Sequence, residues 1–140
     1  MLAFAASADI AADPQTVWDV LVDTAAWPEW DSGVARVEGR AEKGSKLKLT
    51  TEADPGKAWP LVVAEVDPPR RMVFTGGMPL GLFKGERTYL LEPGGAGTRF
   101  RLREQFTGPL APLIGRSIPD LQPSFDQFAA GLKARAEGSP

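Results

Sequence analysis

The chain opens on an alternating run. Leu2, Phe4, Ala6, Ala8 and Ile10 share one parity, which predicts a strand with a single buried face. Asp13-Pro14 then supplies an N-cap and a proline at the first helical position, and Val17, Trp18, Leu21 and Val22 follow at helical spacing. A short amphipathic helix is expected there. Trp27-Pro28-Glu29-Trp30 closes this segment as a second short helix or a turn, because Pro28 disfavours helical backbone at Trp27.

Between Gly33 and Thr107 the period changes from helical to extended. Strands are expected over residues 34–39, 46–53, 59–66, 71–76, 83–92 and 98–107. Lys43-Gly44, Asp54-Pro55-Gly56, Asp67-Pro68-Pro69, Gly76-Gly77 and Gly94-Gly95-Ala96-Gly97 separate them as turn signals. Connections this short pair neighbouring strands antiparallel, since a parallel crossover needs about a dozen residues or more. In the last strand Phe100, Leu102, Glu104 and Phe106 point one way, and Arg99, Arg101, Arg103 and Gln105 the other. Alternating arginines require water, so the first set faces inward; Phe83, Arg87, Tyr89 and Leu91 are placed inward beside it. The arginine face reads as a solvated strand surface, with contact to acidic lipid headgroups as the other reading.

After Gly108-Pro109 the helical period returns. Leu121, Phe125, Phe128 and Leu132 make a stripe along one side of a helix. Leu110, Leu113, Ile114 and Ile118 extend it upstream, interrupted by Pro112, Pro119 and Pro123. Either Ser117 caps a helix opened by Pro119, or Gln122-Pro123 opens a later one. Lys133 and Arg135 suit the last turn, and Gly138-Ser139-Pro140 is expected to fray.

Composition narrows the chemistry more than the fold. A length of 140 residues points to one domain over 1–140, and 43% hydrophobic with 24% charged residues is an ordinary globular balance. The net charge of −2 argues against a nucleic-acid partner. No stretch approaches the ~20 apolar residues of a membrane span, and the start does not read as a signal peptide, so a cytoplasmic location is expected. Cysteine and histidine are both absent. That removes thiol chemistry, Ser-His-Asp triads, histidine zinc sites and haem held by histidine. No metal or organic cofactor is expected, and any acid or base must be a carboxylate, Lys, Tyr or water.

The element order is strand, two short helices, a six-stranded meander and a long C-terminal helix. A sheet solvated on one face must cover the other, and only the last helix is long enough. A curled sheet of seven strands is deeper than one helix about 10–12 Å wide can fill. Either large side chains plug the remainder or a cavity persists. The reading favoured here is an internal apolar cavity, with plain core packing by the same rings as the alternative.

The sequence resembles the helix-grip SRPBCC superfamily, which includes START-like domains, polyketide cyclase/dehydrases, coenzyme Q-binding proteins and relatives of plant pollen allergens. The resemblance rests on residues 10–21, beginning Ile10-Ala11-Ala12-Asp13-Pro14, and on Trp27-Pro28-Glu29-Trp30-Asp31. Asp67-Pro68-Pro69-Arg70-Arg71-Met72-Val73-Phe74, Leu91-Glu92-Pro93 and Gly97-Thr98-Arg99-Phe100 continue it. Phe106-Thr107-Gly108-Pro109-Leu110 and the run from Phe125 to Lys133 complete it. It implies an α+β helix-grip fold, a curved antiparallel sheet of about seven strands wrapped around a long C-terminal helix. The scaffold hosts enzymes, carriers and regulators alike, so the resemblance speaks for fold more than for function. Many relatives carry a histidine on the strand where this chain has Arg87, and an activity resting on that imidazole does not transfer.

The function expected is binding or transport of a small hydrophobic molecule such as a lipid, polyketide, isoprenoid or aromatic compound. The alternatives are a polyketide cyclase/dehydratase-like enzyme using Glu104, Arg87 or Tyr89, and a regulatory module whose cavity is vestigial. The expected ligand-lining set is Trp59, Phe74, Phe83, Arg87, Tyr89, Phe100, Glu104, Phe106, Phe125 and Phe128. An unpaired inward carboxylate at Glu104 is strongly penalised, so a cross-hairpin pair with Arg87 is expected, either as a structural ion pair or as a ligand contact. Residues 76–83 and 110–118 are candidate gates, or plain surface loops. The first lacks the lysine and following helix of a phosphate loop.

Overall fold

Residues 2–95, 97–118 and 120–138 are described by a computed structural model. The Leu2 side chain, Ala96 of the last hairpin, Pro119 and the final Ser139-Pro140 lie outside the described residues. β1 (Leu2–Ile10) keeps its predicted alternation, with Phe4, Ala6, Ala8 and Ile10 turned inward and Ala3, Ala5, Ser7 and Asp9 exposed. α1 (Pro14–Val22) follows Asp13 and buries Val17, Trp18 and Leu21. A 3-10 helix, Thr24–Glu29, comes next and carries Pro28 inside it.

β2 (Val34–Glu38), β3 (Lys46–Thr51), β4 (Ala58–Asp67), β5 (Arg71–Gly77), β6 (Lys84–Gly94) and β7 (Gly97–Thr107) form the meander. Among the described residues the sheet has seven strands in the order β1-β7-β6-β5-β4-β3-β2, every pair antiparallel. α2 (Ala111–Ile114) is a single turn, and α3 (Gln122–Ala136) crosses the concave face. This is the helix-grip α+β architecture. Of the two openings considered for the last helix, Gln122-Pro123 is the one used.

α3 is fixed along β1 at three points. The Gln122 side chain donates to the Ala5 carbonyl at 2.6 Å and accepts from the Ala5 amide at 3.4 Å. Lys133 donates to the Asp9 carbonyl at 2.6 Å, and Glu137 accepts from the Ala11 amide at 2.8 Å. Its buried stripe is Phe125, Phe128, Ala129 and Leu132. Gly131 permits the approach to the 3-10 helix side, since a Cβ there would lie 2.0 Å from the Asp31 carbonyl oxygen.

The centre of the molecule corrects one expectation. The curl of the sheet argued for leftover space, and the Trp27 ring fills the middle instead. Its ring is fully buried and its Nε1 donates to the Leu21 carbonyl at 3.0 Å. Around it stand Phe128 at 4.9 Å between ring centroids, Tyr89 at 5.9 Å, Phe74 at 6.3 Å and Trp30 at 6.4 Å. The physical reason is that α3 does not cover the sheet alone. The 3-10 helix drops the largest side chain available into the curve.

Candidate functional site

The site grows from the β6–β7 hairpin. Gly94 faces Gly97 at its tip, and this fixes the register Arg87 opposite Glu104, Tyr89 opposite Leu102 and Leu91 opposite Phe100. Directly opposed residues of an antiparallel pair share a face, so both charged side chains enter the concave side. Arg87 Nε donates to Glu104 Oε2 at 3.0 Å and Nη2 to Oε1 at 3.2 Å. The fork uses both carboxylate oxygens and leaves Nη1 outside it. The side chains are only 18% and 9% exposed. The Arg87 guanidinium carbon also sits 5.0 Å from the Phe125 ring centroid, in cation–π range.

Burial works against the charge on Arg87, but Glu104 and then the Tyr89 hydroxyl more than offset it, holding its pKa above the usual guanidinium value. Burial raises Tyr89 above its ordinary 10.0 against the lowering pull of Arg87. At neutral pH the concave face therefore offers a fixed cation and a neutral phenol, with Glu104 engaged by the fork.

The structure brings part of the expected set together. Phe106 stacks on Phe83 with ring centroids 5.5 Å apart and planes at 12°. Phe4 meets Phe106 and Phe125 edge-on at 6.4 and 6.0 Å, linking that pair to the ring beside Arg87. Phe74 and Phe128 instead belong to the Trp27 cluster, and Phe100 lies at its far side, 6.1 Å from Phe128. Trp59 stands apart. It occupies an inward register position opposite Leu49, yet its ring is 39% exposed and carries the Lys57 ammonium 3.7 Å from its centroid.

Sequence reasoning missed two parts of this end. Phe4 was legible as an inward residue but had no marker tying it to Arg87. Gly76 and Gly85, opposed in the β5–β6 register on the inward parity, lie within the expected strands 71–76 and 83–92, but nothing in the sequence marks them as neighbours. The register alone gives them away. Two clefts, of about 610 and 160 Å³, open on the surface elsewhere. The larger is lined by Asp9, Ile10, Glu92, Gly94, Arg99 and Lys133 among others, and none of the expected ligand-lining residues borders either. No cluster of metal-ligating side chains occurs among the described residues.

Residues 1–137 match the family described as polyketide cyclase/dehydrase and lipid transport. The chain belongs to that family. No curated protein matches it in sequence. Among solved structures, this polyketide cyclase/dehydrase and lipid transport domain is similar to protein MLL2253 from Mesorhizobium loti, with TM-score 0.76, 15% identity and 99% of each chain covered. It is similar also to TTHA0849 from Thermus thermophilus, with TM-score 0.73, 24% identity and 98% of each chain covered. Identities this low speak for the fold alone. Among the described residues no helix is long and apolar enough to cross a membrane.

Proposed function

We propose that this chain binds a small apolar molecule carrying a hydrogen-bond acceptor, held on the concave face with its polar atom at Arg87 and its body among Phe83, Phe106, Phe4 and Phe125. The observation that carries the reading is the buried Arg87–Glu104 fork at the edge of an aromatic cluster. A core has no energetic need of it, since well-packed apolar residues replace a buried ion pair at little or no cost. A preorganised cation with an unforked amino group, by contrast, suits a carbonyl, phenolate or carboxylate in a dry site. Family membership supports ligand binding or cyclase-like chemistry in general. Binding is favoured over a cyclase or dehydratase using Glu104, Arg87 and Tyr89, because both oxygens of Glu104, the carboxylate such chemistry would use, are already engaged by Arg87.

The test uses native mass spectrometry on protein purified from its own host. Wild type should carry an apolar ligand, and the double variant Arg87→Met/Glu104→Leu, which keeps the volume filled, should lose it. Equal ligand occupancy in both proteins would overturn the proposal, as would a wild type that carries none.

A further inference from the structure

The row of the sheet beyond Arg87 and Glu104 is built differently from the rest of the concave face. Moving two residues outward along each strand, about 7 Å, brings Gly85 opposite Gly76 on one side and opposite Phe106 on the other. At Gly85 bare backbone faces the interior, and the Phe106 ring lies over it: a Cβ on Gly85 would sit 3.1 Å from a Phe106 ring carbon. The space beside Gly76 is taken by the Leu61 side chain, 2.9 Å from where a Cβ would lie. Phe83 stacks on the outer side of that ring. Phe106 is 8% exposed, yet it stands outside the continuous cluster of buried side chains that contains Trp27, Tyr89 and Phe125. Its removal from this place need not unpack that cluster.

The covering segments are also unusual. Residues 78–83 leave Met78, Leu80 and Leu82 43%, 95% and 37% exposed, and Leu80 holds φ +63°, a left-handed conformation strained for leucine. The segment is tied to the start of α2 by the Leu110 amide on the Leu82 carbonyl at 2.9 Å, and Leu113 on α2 is 65% exposed. An apolar flap, closed by the Met78 amide on the Phe83 carbonyl at 2.8 Å, therefore lies beside a ring that rests on Gly85.

We infer that Phe106 is the gatekeeper of the proposed ligand site. Its ring here occupies the place of the ligand's apolar group, and binding requires it to swing off Gly85 and become a wall of the site while residues 78–83 move with Phe83. This rests on the ligand-binding reading above and adds the residue that sets its affinity. A site filled by its own side chain binds with an affinity reduced by the fraction of time it stands open. Truncating the ring removes that reduction.

The probe is 6-propionyl-2-(dimethylamino)naphthalene, a neutral apolar fluorophore with a ketone acceptor, titrated into wild type, Phe106→Ala and Phe106→Ala/Gly85→Val, with folding followed by circular dichroism. Wild type should bind weakly, and Phe106→Ala at least about tenfold more tightly, as relief of a mostly closed site requires. Gly85→Val, which fills the floor, should reverse the gain. Equal or weaker binding by folded Phe106→Ala overturns the gate. Tight binding by the variant with none by wild type overturns it too, since that marks a hole made by truncation. A gain that survives Gly85→Val also overturns it. Phe106→Leu serves if the alanine variant fails to fold, with an intermediate gain expected. Failure of the gate leaves the Arg87–Glu104 reading standing, because that reading is tested by loss of host ligand in a double variant that keeps Phe106.

Discussion

At the residue scale the fork between Arg87 and Glu104 sets the main expectations. Removing one partner leaves the other buried without its counter-charge, and Glu104→Gln should lower unfolding stability by about 3 kcal/mol. The domain should remain folded while ligand affinity falls. Arg87→Met/Glu104→Leu should recover most of the stability and none of the binding, as urea denaturation and host-ligand occupancy would show. Similar stability losses in the single and double variants would mean the pair is worth more to the fold than to any ligand.

Tyr89 offers a direct reading of the same surroundings, because it is the only tyrosine in the chain. Its pKa is raised in the folded state, so its contribution to stability is complete below its ordinary 10.0 and is lost as pH rises beyond it. Absorbance at 295 nm should rise at higher pH in the folded protein than in the urea-unfolded chain. A reversible titration near 10 with the fold intact would show that the phenol is solvated.

At the scale of elements, the approach of α3 depends on Gly131. A methyl group there meets Asp31 backbone at 2.0 and 2.6 Å, and backbone cannot rotate away. Gly131→Ala should cost about 1–3 kcal/mol by overpacking. Gly56→Ala, where nothing lies within 4 Å, should be close to neutral. Thermal melts of the two variants decide this, and equal melting temperatures would contradict the packing described. The far end of α3 is held by Glu137, whose pKa is lowered first by the Ala11 amide and then by Lys133. A depressed carboxylate stabilises the folded state above its unfolded pKa and releases that contribution on acidification. Glu137→Gln should therefore speed hydrogen exchange at the Ala11 amide at neutral pH and leave little further change in acid.

These elements also show what a sequence can reveal. Period and punctuation located the strands, because each has one wet and one dry face and a one-residue slip would expose its apolar side. The same parity pairs Arg87 with Glu104. The central place of Trp27 is not legible because a 3-10 helix of six residues is too short to carry a period that marks an inward face. The glycine floor escaped for a different reason. Gly76 and Gly85 lie nine residues apart across a loop, and only the register makes them neighbours.

At the scale of the molecule, the curved sheet is filled from two sides, by α3 and by the 3-10 helix. Its Trp27 end is a dense aromatic core. Its Phe106 end is a thinner layer of rings over glycine, bordered by exposed leucines. Any guest should therefore enter at the second end, with its polar atom meeting Arg87. The surface cleft of about 610 Å³ beside Lys133 is the obvious competitor for a small molecule.

Proton–nitrogen correlation spectra of wild type with saturating 6-propionyl-2-(dimethylamino)naphthalene, whose ketone can accept from Arg87, separate these most directly. The Nε–H of Arg87 and the amides of Leu82, Gly85 and Phe106 should shift together as the probe is added. Shifts confined to Asp9, Ala11, Gly94, Arg99 and Lys133, with the Arg87 signal unmoved, would contradict the account.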